Sequence, residues 1–567
     1  MAAPVRAVTV LKLPIALATC LALLLGVPLL WVSGAAVMAG WDQAAWQTLG
    51  AEPQLASALG LTLGTGLGAT VLAWLLAAVL LSHSFPGPRW TPLVRCLSPL
   101  LAVPHAAMAI GLVFLLSPSG WLLRLLSPWA TGLDAPPPWR TTQDPWGLGL
   151  VAVLVLKEVP FLLWTAASQL QREDVGQRLA RELQLARSLG YQPHTAWWQV
   201  VWPQLWPRLW GPTLAVLAYS LTVVDMALVI GPASPPTLAV LAWQWLMDAD
   251  PAVNATGAAA AWALAGVVGF SAALLAWGRG RIGAIGSWGR AGGWRGRARA
   301  DGRRVPSWPA VDKLPGLMLL LLAVYGAVML ALAVGSVSGI WPFPDLLPQR
   351  WTLQAWGAVL QSAATVLTTL ALGLLAAATA LLWSVAWLEC APPAWDRVLR
   401  QWVYLPLLLP SVLWVLGLHR LSLAWGMDAR FSGLWLAHSL AALPYVLIAL
   451  SPAYQGFDPR YGQLAASLGK SRLAFLGQVK WPMLKAALAS ALAVGFAVSV
   501  AQYLPTLFIG AGRFATVTTE AVTLASGAQR SLAAAYAWLQ WLLPVLGFAA
   551  AAWAGRPRRF ATLQERL

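Results

Sequence analysis

Long apolar runs separated by short polar connections occupy most of the chain. A helix that crosses a bilayer needs about 20 mostly apolar residues. Twelve runs approach that length, near 12–37, 58–82, 98–117, 147–168, 210–231, 254–277, 314–338, 356–384, 402–419, 433–452, 486–510 and 531–554. They are apolar on all faces and longer than the alternating strands of an outer-membrane barrel, so they predict helices. The runs 98–117 and 402–419 are short and are interrupted by Pro104 and Pro410. The first run is long enough for an uncleaved anchor, although Ala35–Ala36 would suit a signal-peptide cleavage site. The expected fold class is an all-α polytopic membrane protein with about 12 transmembrane helices.

Composition strengthens that picture. Of 567 residues, 59% are hydrophobic and 10% charged, against roughly 25% charged in a globular domain. A soluble enzyme, a disordered chain and a disulfide scaffold are excluded. Cys20, Cys96 and Cys390 lie far apart and form neither a disulfide framework nor a cysteine metal site. The net charge of +17 invites a nucleic-acid reading, but the 37 Lys and Arg residues are scattered between apolar runs. They set orientation instead. With a cytoplasmic N-terminus, 29 basic residues fall in inside segments, seven in outside loops, and Lys157 within a span. Both termini are therefore expected in the cytoplasm.

An internal repeat carries the most information. Gln184-Leu-Ala-Arg-Ser-Leu-Gly190, nine residues and Val200-Val-Trp-Pro203 return as Gln463-Leu-Ala-Ala-Ser-Leu-Gly469, nine residues and Val479-Lys-Trp-Pro482. The same offset of 279 pairs Ser220 with Ser499, Gly231 with Gly510 and Thr237 with Thr516. Upstream, Pro160-Phe161 pairs with Pro444-Tyr445, and Pro104 and Gly111 pair with Pro410 and Gly417. The chain reads as two parallel six-helix repeats about an axis along the membrane normal. Residues 1–277 form the first and 314–555 the second, with a cytoplasmic tail at 556–567. Between them, 278–313 holds nine basic and two acidic residues, expected to form a flexible cytoplasmic tether against anionic lipid.

The two most alike segments are cytoplasmic loops, roughly 169–209 and 455–485. On helical spacing Leu185, Ala186 and Leu189 share a face, as do Leu464, Ala465 and Leu468. Gly190 and Gly469 suit a left-handed helix cap, and a second helical stretch would stop at Pro203 or Pro482. Two copies about a pseudo-axis would offer equivalent docking surfaces to a symmetric partner.

That spacing resembles the EAA loop (Glu-Ala-Ala, three residues, Gly, nine residues, Ile-x-Leu-Pro) of permease subunits of bacterial ATP-binding-cassette importers. Two such loops in one chain resemble the fused permeases of the ferric-iron and thiamine type. The resemblance implies a MetI-like fold in the bacterial inner membrane, with each loop seated in a cleft of an ATPase subunit. It implies two ATPase subunits and a periplasmic substrate-binding protein as partners. The family's leading Glu is Gln184 and Gln463 here; Glu182 lies nearby, but its counterpart Tyr461 is uncharged.

Gly469-Lys470-Ser471 lacks the earlier glycine of a phosphate loop, since position 464 is Leu. This chain is thus expected to bind no cofactor; ATP and Mg belong to the ATPase, and no catalytic residue is assigned. The five histidines show no metal-ligand spacing, and nucleic acid is not an expected partner. Charges within spans are functional candidates because burial is costly. Lys157, Glu158 and Asp225, with Gln502, Tyr503 and Thr506 beside Pro505, are candidates for a translocation path. His438 is expected to be a hydrogen-bonded packing residue. The alternative function is a secondary carrier of the six-plus-six type, although the loop 83–95 lacks the Asp of that family's pattern.

Overall fold

The computed structural model describes residues 5–291, 315–407, 409–527 and 529–556. Among them the structure is helical, with an isolated bridge between Ser338 and Trp351. The first half contains α1 (Val5–Ala39), α2 (Gln43–Ala51), α3 (Leu55–Ser84), α4 (Trp90–Ala102), α5 (His105–Leu116), α6 (Leu148–Leu170), α7 (Glu173–Ser188), α8 (Trp210–Thr222), α9 (Asp225–Ile230), α10 (Leu238–Leu246) and α11 (Pro251–Ala291). The second half contains α12 (Pro315–Ser336), α13 (Gln354–Gln361), α14 (Ala363–Cys390), α15 (Pro393–Val403), α16 (Ser411–Ala424), α17 (Phe431–Gln455), α18 (Arg460–Ser467), α19 (Lys485–Val500), α20 (Leu504–Gly510), α21 (Val517–Ala525) and α22 (Arg530–Gly555). Each of these helices of the first half thus has its counterpart eleven labels later, whereas the short helix Trp121–Leu126 after α5 has none among the described residues.

Nine helical stretches among the described residues are long and apolar enough to cross a bilayer; one of them, His105–Leu126, joins α5 to a short helix at Trp121–Leu126 across a turn. Several of the twelve expected spans are not continuous, and the one at 98–117 divides into α4 and α5 at Val103–Pro104. Residues 210–231 divide into α8 and α9 at Val223–Val224, and 486–510 divide into α19 and α20 at 501–503. The span expected at 402–419 contains only the short apolar helix α16. Pro104 and Pro410 stand immediately before α5 and α16, where a missing N–H costs nothing because the first helical donors lack intrahelical partners. Pro505 lies in the first turn of α20, yet Met226 takes its place in α9 and the same break occurs. Proline is therefore not its only cause. In the first half the Asp225 carboxyl meets the freed N–H of Met226. Such irregular backbone at membrane depth is tolerated only against protein or a water-filled path.

Small residues let the spans approach closely, as expected where lipid removes the hydrophobic drive between helices. On α3, Ala58, Ala69, Ala73 and Ala77 are buried, and on α14 so are Ala376, Ala377 and Ala380. Leu72, Leu75, Leu367 and Leu382 of the same helices face outward. The halves also exchange partners. A side chain at Gly111 of α5 would strike Val328 of α12, and one at Gly417 of α16 would strike the backbone of Val32 of α1. The first helix of each half thus packs on the fifth helix of the other. Thr62 of α3 accepts a bond from the Leu238 amide at 2.9 Å, and Thr369 of α14 accepts one from the Val517 amide at 2.9 Å.

Helix α11 continues past the expected boundary at 278 to Ala291. The rest of the 278–313 segment, and residues 557–567 of the tail, lie outside the described residues.

Candidate functional site

The 173–188 loop helix follows from its sequence. Glu173 and Asp174 occupy its first turn and Arg187 its last, each matching the helix dipole. Val175, Leu179, Leu183 and Ala186 recur at helical spacing and are buried. The helix ends at Gly190 with φ +87°, and α18 ends at Gly469 with φ +69°. Both ends close alike: Tyr191 N–H donates to the Ala186 carbonyl at 3.2 Å, and Lys470 N–H to the Ala465 carbonyl at 3.0 Å. An added Cβ would meet open space at either glycine, so the requirement is the left-handed backbone itself.

Beyond the glycines, each loop carries one turn of α-helix, a π-helical turn and another short helical turn. The π-turns are Trp197–Val201 and Leu476–Lys480, again 279 residues apart. Pro203 and Pro482 do not stop these stretches, contrary to expectation. Trp202 N–H reaches the Trp197 carbonyl and Trp481 N–H the Leu476 carbonyl, and the wide turn carries the helix to the proline. The helical path continues to Leu205 and Met483. Residues Arg472–Met483 then meet α19 at 75°, so the second loop lies across the bundle axis.

Leu185 and Leu189 are 62% and 59% exposed, and Leu464 and Leu468 are 58% and 68% exposed. Gln184 and Gln463 beside them are also exposed. Ala186 and Ala465 are buried instead, which corrects the shared face expected for all three: they stand about 100° from the preceding leucine and point inward. Each loop therefore offers one pair of protruding leucines one turn apart. Glu182 does not stand in for the family's Glu. It accepts from the Gln204 amide at 2.6 Å and lies 3.7 Å from Arg178.

The loops are fastened to the membrane helices differently. In the first half, Trp197 is fully buried, Trp202 packs on Trp74 of α3 at 4.9 Å, and Trp198 donates to His194 at 3.0 Å. His194 faces His83 of α3, with ring centroids 6.3 Å apart. In the second half, Glu389 of α14 accepts from Arg472 at 2.9 Å, Lys480 at 2.7 Å and the Tyr454 hydroxyl at 2.9 Å.

The path candidates divide into two groups. Lys157 and Glu158 are buried in α6. The Lys157 ammonium donates to the Val103 carbonyl at 2.5 Å, capping the C-terminus of α4 where a cation is favoured. Tyr219 is within electrostatic range of Glu158 and Asp225; Tyr325 and Tyr445 are within range of Glu158; and Tyr503 is within range of Asp225. Asp225 and Tyr503, from the matching breaks of the two halves, thus lie within electrostatic range of each other. Gln502 is half-buried and its amide donates to Val498. Thr506 is instead committed to packing: His438 holds its hydroxyl at 2.9 Å and that of Ser499 at 2.8 Å. The expected packing role of His438 is borne out.

Sequence reasoning missed Glu389, because its partners lie 65 to 91 positions away in the chain. The available signal was a lone Glu ending an apolar run while basic residues crowd a repeated loop. At the opposite end of the bundle, Arg124 donates to the carbonyls of Trp341, Pro342 and Asp345 and ties the halves together beside a cavity of about 800 Å³.

No protein-family model matches the chain. Over 528 residues it is 35% identical to the inner membrane ABC transporter permease protein YnjC of Escherichia coli, covering 91% of this chain and 92% of that protein. It is 27% identical over 227 residues to the thiamine transport system permease protein ThiP of Brucella suis, covering 36% of this chain and 40% of that one. Over 107 residues it is 26% identical to the spermidine/putrescine transport system permease protein PotC of Haemophilus influenzae, 19% of this chain and 42% of that one. Likeness along nearly the whole chain to a permease of this type displaces the secondary-carrier alternative.

Proposed function

The chain belongs to the permease subunits of ATP-binding-cassette importers of the inner membrane, and from that premise we propose that its two loops are docking elements for two copies of a separate ATPase. Gln184, Leu185, Leu189 and Gly190, with Gln463, Leu464, Leu468 and Gly469, form the contact surfaces. Ala186 and Ala465 seat each loop helix, and Pro203 and Pro482 lie on the helical stretch behind it. Both termini and both loops face the cytoplasm, and a periplasmic binding protein delivers solute to the other face. ATP and Mg are held by the ATPase and not by this chain. ATP binding draws the loops together and opens the path outward; hydrolysis resets it.

The observation that carries the reading is the paired projection of Leu185 with Leu189 and Leu464 with Leu468. Large apolar side chains exposed in matching places outside the lipid-facing surface mark a protein contact. The buried carboxylate of Glu158 and the half-buried one of Asp225, with Tyr503 across the halves, favour a cationic solute. The relatives named for thiamine and for spermidine and putrescine handle cations.

Co-purification tests the docking. The wild-type chain is expected to retain an ATPase. Replacing all four leucines by Asp is expected to weaken capture at least a hundredfold, since the exposed core of an interface holds most of its affinity. Undiminished ATPase capture by that variant would refute the reading.

A further inference from the structure

We propose that Glu389 is a positioning residue that makes α14 and α17 move with the second docking loop, a role that rests on the docking reading above. The loop stretch 472–483 runs directly into α19 through a bend of 75°, reaches α17 along the chain only through α18 and the turn at Gly469, and has no chain connection to α14. Without another link, a push on the loop would reach α19 directly, α17 only through a turn, and α14 not at all along the chain. Glu389 supplies that link at both ends of the stretch. Arg472, at its start, donates to one carboxylate oxygen at 2.9 Å and to the Glu389 backbone carbonyl at 2.7 Å. Lys480, near its end, donates to the other carboxylate oxygen at 2.7 Å.

The same carboxylate reaches a third element. The Tyr454 hydroxyl of α17 donates to Glu389 at 2.9 Å and accepts from the Trp481 indole at 3.3 Å. The Lys480 ammonium lies over the Tyr454 ring, 4.0 Å from its centroid. One carboxylate therefore joins α14, α17 and the loop. The side chains of Glu389 and Lys480 are 15% and 13% exposed, so screening by salt is limited. Short charge-assisted bonds fix direction as well as distance. A rigid strut of this kind is what force transmission needs.

Among the described residues of the first half no such strut forms. Position 82, which matches Glu389 at the spacing that pairs Thr62 with Thr369, is Ser; Pro193 and Val201 match Arg472 and Lys480. That loop rests on tryptophan packing, so the ionic link acts on one half alone.

The test uses the full chain with its bound ATPase in lipid nanodiscs. Hydrogen exchange is followed with and without a non-hydrolysable ATP analogue. In the wild type the analogue is expected to change exchange at the loop ends of both α3 and α14. In Glu389→Gln the change at α14 is expected to fall by on the order of tenfold, a typical allosteric coupling. The change at α3 and the amount of bound ATPase are expected to stay as in the wild type. Glu389→Asp keeps a carboxylate and is expected to restore part of the α14 response, which a merely structural defect would not allow. An unaltered α14 response in Glu389→Gln would overturn the proposal. So would loss of the ATPase from that variant, which would place Glu389 in docking rather than transmission. A wild-type chain that captures no ATPase would overturn the docking reading, and this one with it.

Discussion

In the first half, the loop helix α7 has 16 residues and buries Val175, Leu179, Leu183 and Ala186, while in the second, α18 has eight residues and buries Ala465. One helix has its own apolar stripe and rests on tryptophans. The other is too short to build a stripe and is held through its neighbour segment by Arg472, Lys480 and Glu389. Yet Gly190 and Gly469, the two π-turns and the two exposed leucine pairs coincide. The shared surface is reproduced residue by residue, whereas the support beneath it differs between the halves. That division is expected if the outward geometry answers to a common partner and the inward packing answers only to each half.

Three perturbations sharpen the comparison. The largest is Leu179→Ala. Truncating a fully buried leucine costs about 2–4 kcal/mol, so exchange across 173–188 is expected to rise at least tenfold while 460–483 stays protected. Equal loosening of both loops would show that they share one support. Next come the matched serines. Ser499 holds His438, whereas the buried hydroxyl of Ser220 lacks a hydrogen-bond partner among the described residues. Ser499→Ala is expected to destabilise the second half by about 1–3 kcal/mol, since it strands a buried ring nitrogen. Ser220→Ala should shift stability by under about 0.5 kcal/mol; thermal unfolding of the two variants checks the difference. The smallest effect is that of salt. Raising ionic strength should speed exchange at 472–483 by roughly two- to threefold and leave 193–205 unchanged, because only the former is held by ion pairs.

Much of the fold was legible because it is written twice. The offset of 279 through Thr237 and Thr516 marks helix starts that Thr62 and Thr369 hold in the same way. Gly111 and Gly417, paired by their spacing from Pro104 and Pro410, prove to be where each half crosses the first helix of the other. The loop glycines were readable because a left-handed end needs that residue. Less legible were the features set by tertiary context. Apolarity alone did not reveal the break at Val223–Val224, where no proline stands. The helix past Pro203 depends on a π-turn that no local propensity marks. Ala186 was grouped with Leu185 by spacing, but only packing decides which flank of a helix turns inward. Lys157 looked like a path residue by its depth, and its role at the end of α4 depends on a chain segment 54 positions away.

The central claim is that the leucine pairs of both loops seat on an ATPase at the cytoplasmic face. Single cysteines at the exposed positions Leu189 and Leu468, in a chain whose Cys20, Cys96 and Cys390 are replaced, test it directly. In inverted membrane vesicles a membrane-impermeant maleimide should label both positions, and a short bifunctional thiol reagent should join each to the ATPase. In intact cells the impermeant reagent should label neither. Labelling from the periplasmic side, or no ATPase adduct at either position, would contradict the account.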